Sequence, residues 1–349
     1  SIGLQLFFSA SEAVARLFGL SLVREFLSVS SLAQSIDGAQ QMQVVEALYQ
    51  WIKHVLTNQL SQERYLINSV ATILALCVKN SFPDHWRSAF SEVIALAAHG
   101  PAGIEVAVAI LEDVDTEVVI FSTDRDKDEH ARNVRIKDMI RSEGIAERLL
   151  EFLLQQTMQL RPSHSELSSR CLQTLSRLVG WVDLRLIVND SVLPVIYQSL
   201  ADEALSSAAC ACVYELFHRG MDGLSKTRLV AQTRVLEVLG PLVRAPNLHE
   251  DGAEALGRVL DVLLQELLGV WVMCESFMDA ESSGTTSGSA ARAAFSPKDD
   301  RPGALVMDDQ LLQQLAPEVA AMCHECVGLV IAVFSWSEGG PGGPGGDGS

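Results

Sequence analysis

The residues best placed to do chemistry in this chain are charged ones. Lys137, Arg141 and Arg148 follow one another at +4 and +11. On a helix of 3.6 residues per turn that spacing keeps them within about 40° of each other. The stripe they make lies clear of the apolar run Ile136, Met139 and Ile140. Three cations on one stripe can follow a row of phosphates. A second basic stretch holds Lys226, Arg228 and Arg234, so helices one or two repeats apart would offer phosphate contacts along the same face. Each phosphate neutralised adds salt-dependent affinity without reading a base. The alternative, solvated helix faces paired with Asp138, Glu143 and Glu147, stays open. Aromatic residues make up 6% of the chain and do not interleave with these cations, which disfavours stacking on single-stranded bases. An RNA held here is read by its shape and backbone.

The acidic counterpart is a cluster of Glu112, Asp113, Asp115, Glu117, Asp124, Asp126, Asp128 and Glu129, diluted only by Arg125 and Lys127. It reads as a rim where one helix turns into the next, available to a basic protein partner. A solvated loop whose charge favours the following helix N-terminus is the other reading.

Motifs for catalysis are lacking. The chain carries no G-x-S-x-G, no H-E-x-x-H and no glycine-rich turn of the dinucleotide type. The stretch from Gly220 to Thr227 resembles a phosphate loop, but Ser225 stands where the second glycine belongs and a helix precedes it. It is expected to be an interhelix turn capped by Asp222 or Ser225. Cys323 and Cys326 share a helix face, yet two thiolates do not complete the four-ligand set of a structural zinc. No metal and no cofactor is expected, and the seven cysteines read as buried, reduced thiols. The chain is expected not to be an enzyme.

These residues sit on helices. Apolar residues recur at helical spacing almost everywhere, as in Val45, Leu48, Ile52, Val55 and in Leu256, Val259, Leu263, Leu267, Val270, and no alternating strand is evident. Breaks fall at Asp37-Gly38, Ser81-Phe82-Pro83, Gly100-Pro101, Arg161-Pro162, Gly220–Gly223 and Ala245-Pro246. The expected pairs are 11–28 with 39–57, 63–79 with 84–98 and 102–118 with 129–159. They continue as 163–181 with 183–201, 203–219 with 224–244 and 250–277 with 308–336.

About a dozen helices in pairs of this length predict an all-α, HEAT-repeat α-solenoid, a right-handed superhelical array of antiparallel helix pairs. The repeat array covers 1–278, a Ser/Gly-rich flexible insertion 279–304, the last helix 305–338 and a disordered Gly/Pro tail 339–349.

Bulk composition agrees. In 349 residues, 48% hydrophobic content and a mean hydropathy of +0.21 describe a folded chain. A net charge of −18 argues against a simple cationic nucleic-acid clamp or a polybasic membrane anchor. Apolar stretches such as Gly328 to Phe334 fall short of the ~20 residues of a membrane helix, so no membrane insertion is expected. The chain opens on Ser1 in mid-pattern and is expected to be a piece of something longer.

Several stretches resemble a known family. Ser81-Phe82-Pro83-Asp84-His85-Trp86, after the helix around Tyr65 to Cys77, is similar to an aromatic-Pro-x-x-Trp turn of the importin-β-related nuclear transport receptors. Glu112 to Glu117 and Ala131 to Met139 resemble the exportin helix with its Ile-Lys-Asp-x-Met core. Trp181 to Asp190 and Glu215 to Asp222 resemble the tRNA-exporting branch.

The resemblance spans about residues 11–275. It departs at Asn68-Ser69, where this group usually has Lys after Asn, so that contact is not carried over. It implies a monomeric receptor shuttling between nucleus and cytoplasm, with mature tRNA, Ran-GTP and nuclear pore proteins as partners. It also implies that the second helix of each pair lines the inside. The tRNA-contact candidates are then Lys137, Arg141, Arg148, Arg228 and Arg234, and the Ran-contact candidates Glu46, Asp84, Asp113 and Asp115. Trp181, Leu184 and Ile187 are read as packing residues. A protein-cargo exportin and a HEAT scaffold without RNA binding remain the alternatives.

Overall fold

A computed structural model describes residues 2–29, 32, 37–123, 125–245, 250–282 and 309–339. Among them are fifteen α-helices and no strand. In chain order these are α1 (Ile2–Ser9), α2 (Ala13–Ser28), α3 (Gly38–Thr57), α4 (Arg64–Ser81) and α5 (Ala89–Ala95), which a 3-10 turn, Leu96–His99, prolongs. Next come α6 (Pro101–Val114), ending in a π-helical turn, Asp115–Val119, then α7 (Lys127–Ser142), α8 (Ile145–Leu160) and α9 (Ser165–Val179). A 3-10 turn, Leu184–Leu186, precedes α10 (Leu193–Leu200), α11 (Ser206–His218), α12 (Gly223–Thr233), α13 (Val235–Val243), α14 (Glu250–Ser282) and α15 (Asp309–Gly339).

The start signals work as side-chain chemistry requires. Asp37 accepts from the backbone N–H of Gln40 at 2.7 Å, Asp126 from that of Glu129 at 2.7 Å and Asp222 from that of Ser225 at 2.9 Å, each satisfying a helix-terminal donor. The Gly220–Thr227 turn is therefore a capped interhelix turn, as expected.

Three expected helices are broken. The helix at 129–159 is two, α7 and α8, because Gly144 adopts φ +67°, a left-handed conformation that ends the first. That at 224–244 is likewise split into α12 and α13 by Arg234 at φ +52°. Helix 183–201 survives only as the 3-10 turn and α10, since the Asn189 side chain accepts from the N–H groups of Ser191 and Val192, both at 2.9 Å, and forms a turn between them. In addition, α1 precedes the first expected helix.

The chain divides into two compact units, Ser1–Val192 and Leu193–Ser349. In the first, α2, α4, α6 and α9 are successive neighbours, α3 packs on α4, and α5 packs on α8. Each expected second helix lies closer to the helix that follows it than to its own expected partner: α3 packs on α4, the α5 segment on α6, and α8 on α9. In the second unit α10 packs on α11, α11 and α12 on α14, and α13 and α14 on α15.

Helix α4 is enclosed nearly all round. Val70, Ala71, Ile73, Leu74, Ala75, Leu76, Cys77 and Val78 are each at most 1% exposed, because α2, α3 and α6 cover different faces of it. At roughly 1.5–3 kcal/mol per large apolar side chain, this helix anchors the first unit. Helices α1 and α2 meet through glycine: a Cβ on Gly3 would lie 2.6 Å from the carbonyl oxygen of Gly19, and one on Gly19 at the same distance from that of Gly3. Any larger residue pushes the two helices apart.

Helix α15 corrects one expectation. Its stretch Ala316–Val333 is, by length and hydropathy, apolar enough to cross a membrane. One face of it packs, for Val319, Cys323, Cys326 and Leu329 form a buried stripe and α15 lies along α14, while Val327 and Ile331 are exposed. The expected insertion begins later than 279, since α14 runs to Ser282, and the last helix spans Asp309–Gly339. The remainder of the insertion, 283–304, and of the tail, 340–349, lies outside the described residues.

Candidate functional site

The expected acidic rim is not a free surface. Its members on α6 and the π turn are taken up by cations and hydroxyls of the flanking helices. Toward α9, Glu112 receives Arg170 through Nε at 3.1 Å and Nη2 at 2.5 Å and the hydroxyl of Thr174 at 3.1 Å. One turn on, Asp115 pairs with Arg177 at 3.6 Å. Toward α4, Asp113 accepts from the Thr72 hydroxyl at 2.8 Å, and Glu117 binds Lys79 at 2.9 Å. Lys79 also binds Glu129 at 2.7 Å, and Arg125 stands 3.5 Å from the same carboxylate.

Two arginines of α9 collect the acids of α6 and the π turn. Arg170 on α9 meets both Glu105, at 3.9 Å, and Glu112 on α6, while Arg177, seven residues on, pairs with Asp115 and donates to the backbone carbonyl oxygen of Glu112 at 3.4 Å. Sequence reading saw the acids but did not single out Arg170 and Arg177, whose spacing was the available signal.

Two Ran-contact candidates are corrected accordingly. Asp115 is 8% exposed and committed to an internal ion pair, so it offers no charge to a partner. Asp113 is half-buried on Thr72, and burial pushes its carboxyl above the usual range, the Thr72 hydrogen bond opposing that shift. The other two candidates are exposed. Glu46 on α3 accepts from the Gln50 side chain at 2.9 Å. Asp84 takes both terminal nitrogens of Arg135, at 2.9 and 2.7 Å, and this bidentate bond holds its carboxyl below the usual range.

The cationic stripe is corrected too. Lys137 and Arg141 lie on α7, but Arg148 lies on α8 beyond the left-handed Gly144, so the three do not share a helix face. Lys137 is half-buried and carries no ion pair among the described residues. The Arg141 guanidinium donates to the Trp181 carbonyl oxygen at 3.2 and 2.9 Å, pairs with Asp138 at 3.2 Å and lies 5.3 Å from the centre of the Trp181 ring. It is a strut between the end of α7 and the turn after α9. Arg148 donates to the Ser91 hydroxyl at 3.0 Å and keeps its exposure.

In the second unit Lys226 is buried and paired with Glu266 at 2.5 Å, a helix-to-helix tie between α12 and α14 instead of a surface cation. Arg228 is exposed and has no ion pair among the described residues. Arg234 is exposed but held by Glu237, three residues on. Of the three packing residues, Ile187 is fully buried while Trp181 and Leu184 are half-buried.

All seven cysteines are free and buried. Burial pushes the thiols of Cys77, Cys171, Cys210 and Cys326 up to about 12, so none supplies a thiolate near neutral pH. The Cys326 thiol donates to the Leu260 carbonyl oxygen at 3.5 Å, a packing contact between α15 and α14.

Residues 63–213, the span that holds the Lys79, Arg170 and Arg177 network, match the family model described as Exportin 1-like protein. They are an exportin 1-like domain. The fold class is accordingly the all-α HEAT-repeat solenoid of that family.

Around this domain the chain is similar to proteins named Exportin-T. Against that of Danio rerio it is 30% identical over 253 residues, which is 72% of this chain and 26% of the relative. Against the Homo sapiens protein it is 28% identical over 191 residues, 55% of this chain and 20% of the relative. With that of Dictyostelium discoideum it shares 25% over 206 residues, 59% of this chain and 19% of the relative. The chain thus spans a fifth to a quarter of the length of these relatives.

Proposed function

We propose that this chain carries the Ran- and cargo-binding elements of a nuclear export receptor, and that its cargo is tRNA. The observation supporting this reading is the exportin 1-like domain together with similarity to Exportin-T in animals and an amoeba. The receptor takes up tRNA together with GTP-bound Ran in the nucleus, passes the pore by contacts with pore proteins and releases both in the cytoplasm. It acts as a carrier and not as an enzyme.

The charges suit such a task by their scarcity. On a body of net charge −18, nucleic acid is repelled except where a cation stands clear of ion pairs. Lys137, Arg148 and Arg228 have that character, whereas Arg141 and Arg234 reach a phosphate only by giving up Asp138 or Glu237. Glu46 is an exposed acid we assign to the basic surface of Ran, and Asp84, also exposed, reaches it only by giving up Arg135. Joint binding of tRNA and Ran is a coupling free energy of ~1–3 kcal/mol that acts equally in both directions.

Fluorescence anisotropy of labelled mature tRNA, with Ran-GTP, with Ran-GDP and without Ran, tests this reading. A charge-matched RNA hairpin serves as control. Tight tRNA binding that needs Ran-GTP is expected, and exchanging Glu46 and Asp84 for Lys should weaken the Ran contact. Ran-GTP binding with indifference to tRNA would instead make the chain part of a protein-cargo exportin. Indifference to both would leave a HEAT scaffold.

A further inference from the structure

Seven of the seventeen exposed large apolar side chains among the described residues fall within residues 2–32, a crowding that single scattered surface residues do not produce. Three of them, Val14, Phe18 and Leu22, are 73%, 59% and 41% exposed and follow one another at intervals of four along α2, so they share one helix face. The opposite side of α2 is the buried one. Leu20, Val23 and Leu27 are each at most 5% exposed there, and the helix packs on α1 and α4.

In the row α2, α4, α6 and α9, the helices α4 and α6 each have a row neighbour on both sides, whereas α2 has only α4. A repeat that ends such a row keeps the array soluble by a polar outer face. On its exposed face α2 carries Val14, Phe18 and Leu22 instead. We infer that this stripe is a self-association surface, covered by the same stripe of a second copy of the chain lying antiparallel to it about a two-fold axis at Phe18.

The stripe is complementary to itself in that arrangement. Val14 of each copy meets Leu22 of the other, and the two Phe18 side chains meet at the axis, as an isologous contact requires. No like charges are brought face to face along it, since Glu25, which continues the line of the stripe, falls opposite Ser11 of the second copy. Arg16 is turned inward, donating to the Phe7 carbonyl oxygen at 3.2 Å and to the Gln62 side-chain oxygen at 3.0 Å. Val14 to Leu22 spans only about 12 Å of helix, far short of the ~1,000 Å² that a stable interface buries, so the dimer is weak, with a dissociation constant of about 0.1 mM. The charge of −18 on each copy opposes it further. This surface stands independently of the proposed export function and departs from the monomer that the resemblance implies.

Equilibrium sedimentation of the full chain, carried up to about 0.5 mM, tests the proposal. A monomer–dimer equilibrium is expected, tighter at about 0.5 M than at about 0.05 M NaCl, because salt screens the repulsion and leaves the apolar contact. Phe18→Gln should weaken association at least about tenfold, since it removes the central anchor. Phe18 is largely exposed, so the substitution opens no core, and a circular dichroism melt checks that the fold is kept. Ile331→Gln, which removes an equally exposed apolar side chain in the second unit, should leave association unchanged. Cross-linking by a short bismaleimide, whose reach matches the roughly 8–10 Å between packed helix axes, reports the direction of pairing. All seven native cysteines are buried, so thiols introduced at the exposed positions 14 and 22 are the ones that react. Mixing Val14→Cys with Leu22→Cys chains should give the mixed dimer in preference to either cross-linked homodimer.

A monomer throughout that range overturns the proposal and leaves the stripe to a different polypeptide. Assemblies that grow beyond two copies, dimerisation unchanged by Phe18→Gln or lost equally with Ile331→Gln, weakening by salt, or Val14→Cys cross-linking to itself as readily as to Leu22→Cys would each overturn it as well.

Discussion

Lys79 is 4% exposed and holds two carboxylates, Glu117 and Glu129, of which Glu129 is 8% exposed. Removing one member of a buried charge cluster strands the others. Lys79→Met should therefore cost about 3 kcal/mol in urea unfolding, and adding Glu129→Leu should recover much of that loss. Asp113 poses the opposite case. Its folded-state pKa is raised by burial, so the stability tied to its protonated form is fully present below the ordinary 3.8 and is lost as pH rises through the raised value. Asp113→Asn escapes that loss while keeping an oxygen for Thr72. Its melting temperature should thus gain on the parent between pH ~3 and ~7, and a constant gap would refute the argument. Asp84, depressed by Arg135, contributes with the reverse sign: its stabilisation is present above the ordinary value and is lost as pH falls through the lowered one.

At the scale of elements, the left-handed Gly144 decides where the cations point. It ends α7, reorients the chain into α8 and removes Arg148 from the stripe of Lys137 and Arg141. A Cβ there would stand 2.8 Å from the Glu147 carboxylate, a flexible group that can move, so the cost of Gly144→Ala is mainly backbone strain. We expect ~1 kcal/mol of destabilisation by thermal melting. Were α7 and α8 one continuous helix in solution, the same substitution would stabilise it. Arg234 takes a similar conformation without being glycine, which explains why sequence reading ran 224–244 as one helix. Nothing in its residue type announces a break.

For the whole molecule, binding to tRNA should be governed by few contacts on an acidic body. Replacing Lys137 or Arg228 by Gln should reduce the slope of log affinity against log salt by about 1 for each, with little change in preference among tRNAs. Arg141→Gln should act differently, lowering melting temperature through the lost Trp181 strut while leaving that slope nearly unchanged. A salt slope that falls equally for all three would place Arg141 at the RNA after all.

Periodic apolar residues, capping aspartates and turn residues made the all-helical class and most helix positions legible without coordinates. They are local properties, set within one or two turns of chain, as with Asp37, Asp126 and Asp222. Glu46 and Asp84 entered as partner contacts through the family resemblance, and their exposure is a finding of the structure. What only the tertiary structure decided is which charges are spent internally. Asp115 and Lys226 look like surface groups in sequence because their partners, Arg177 and Glu266, lie 62 and 40 residues away along the chain.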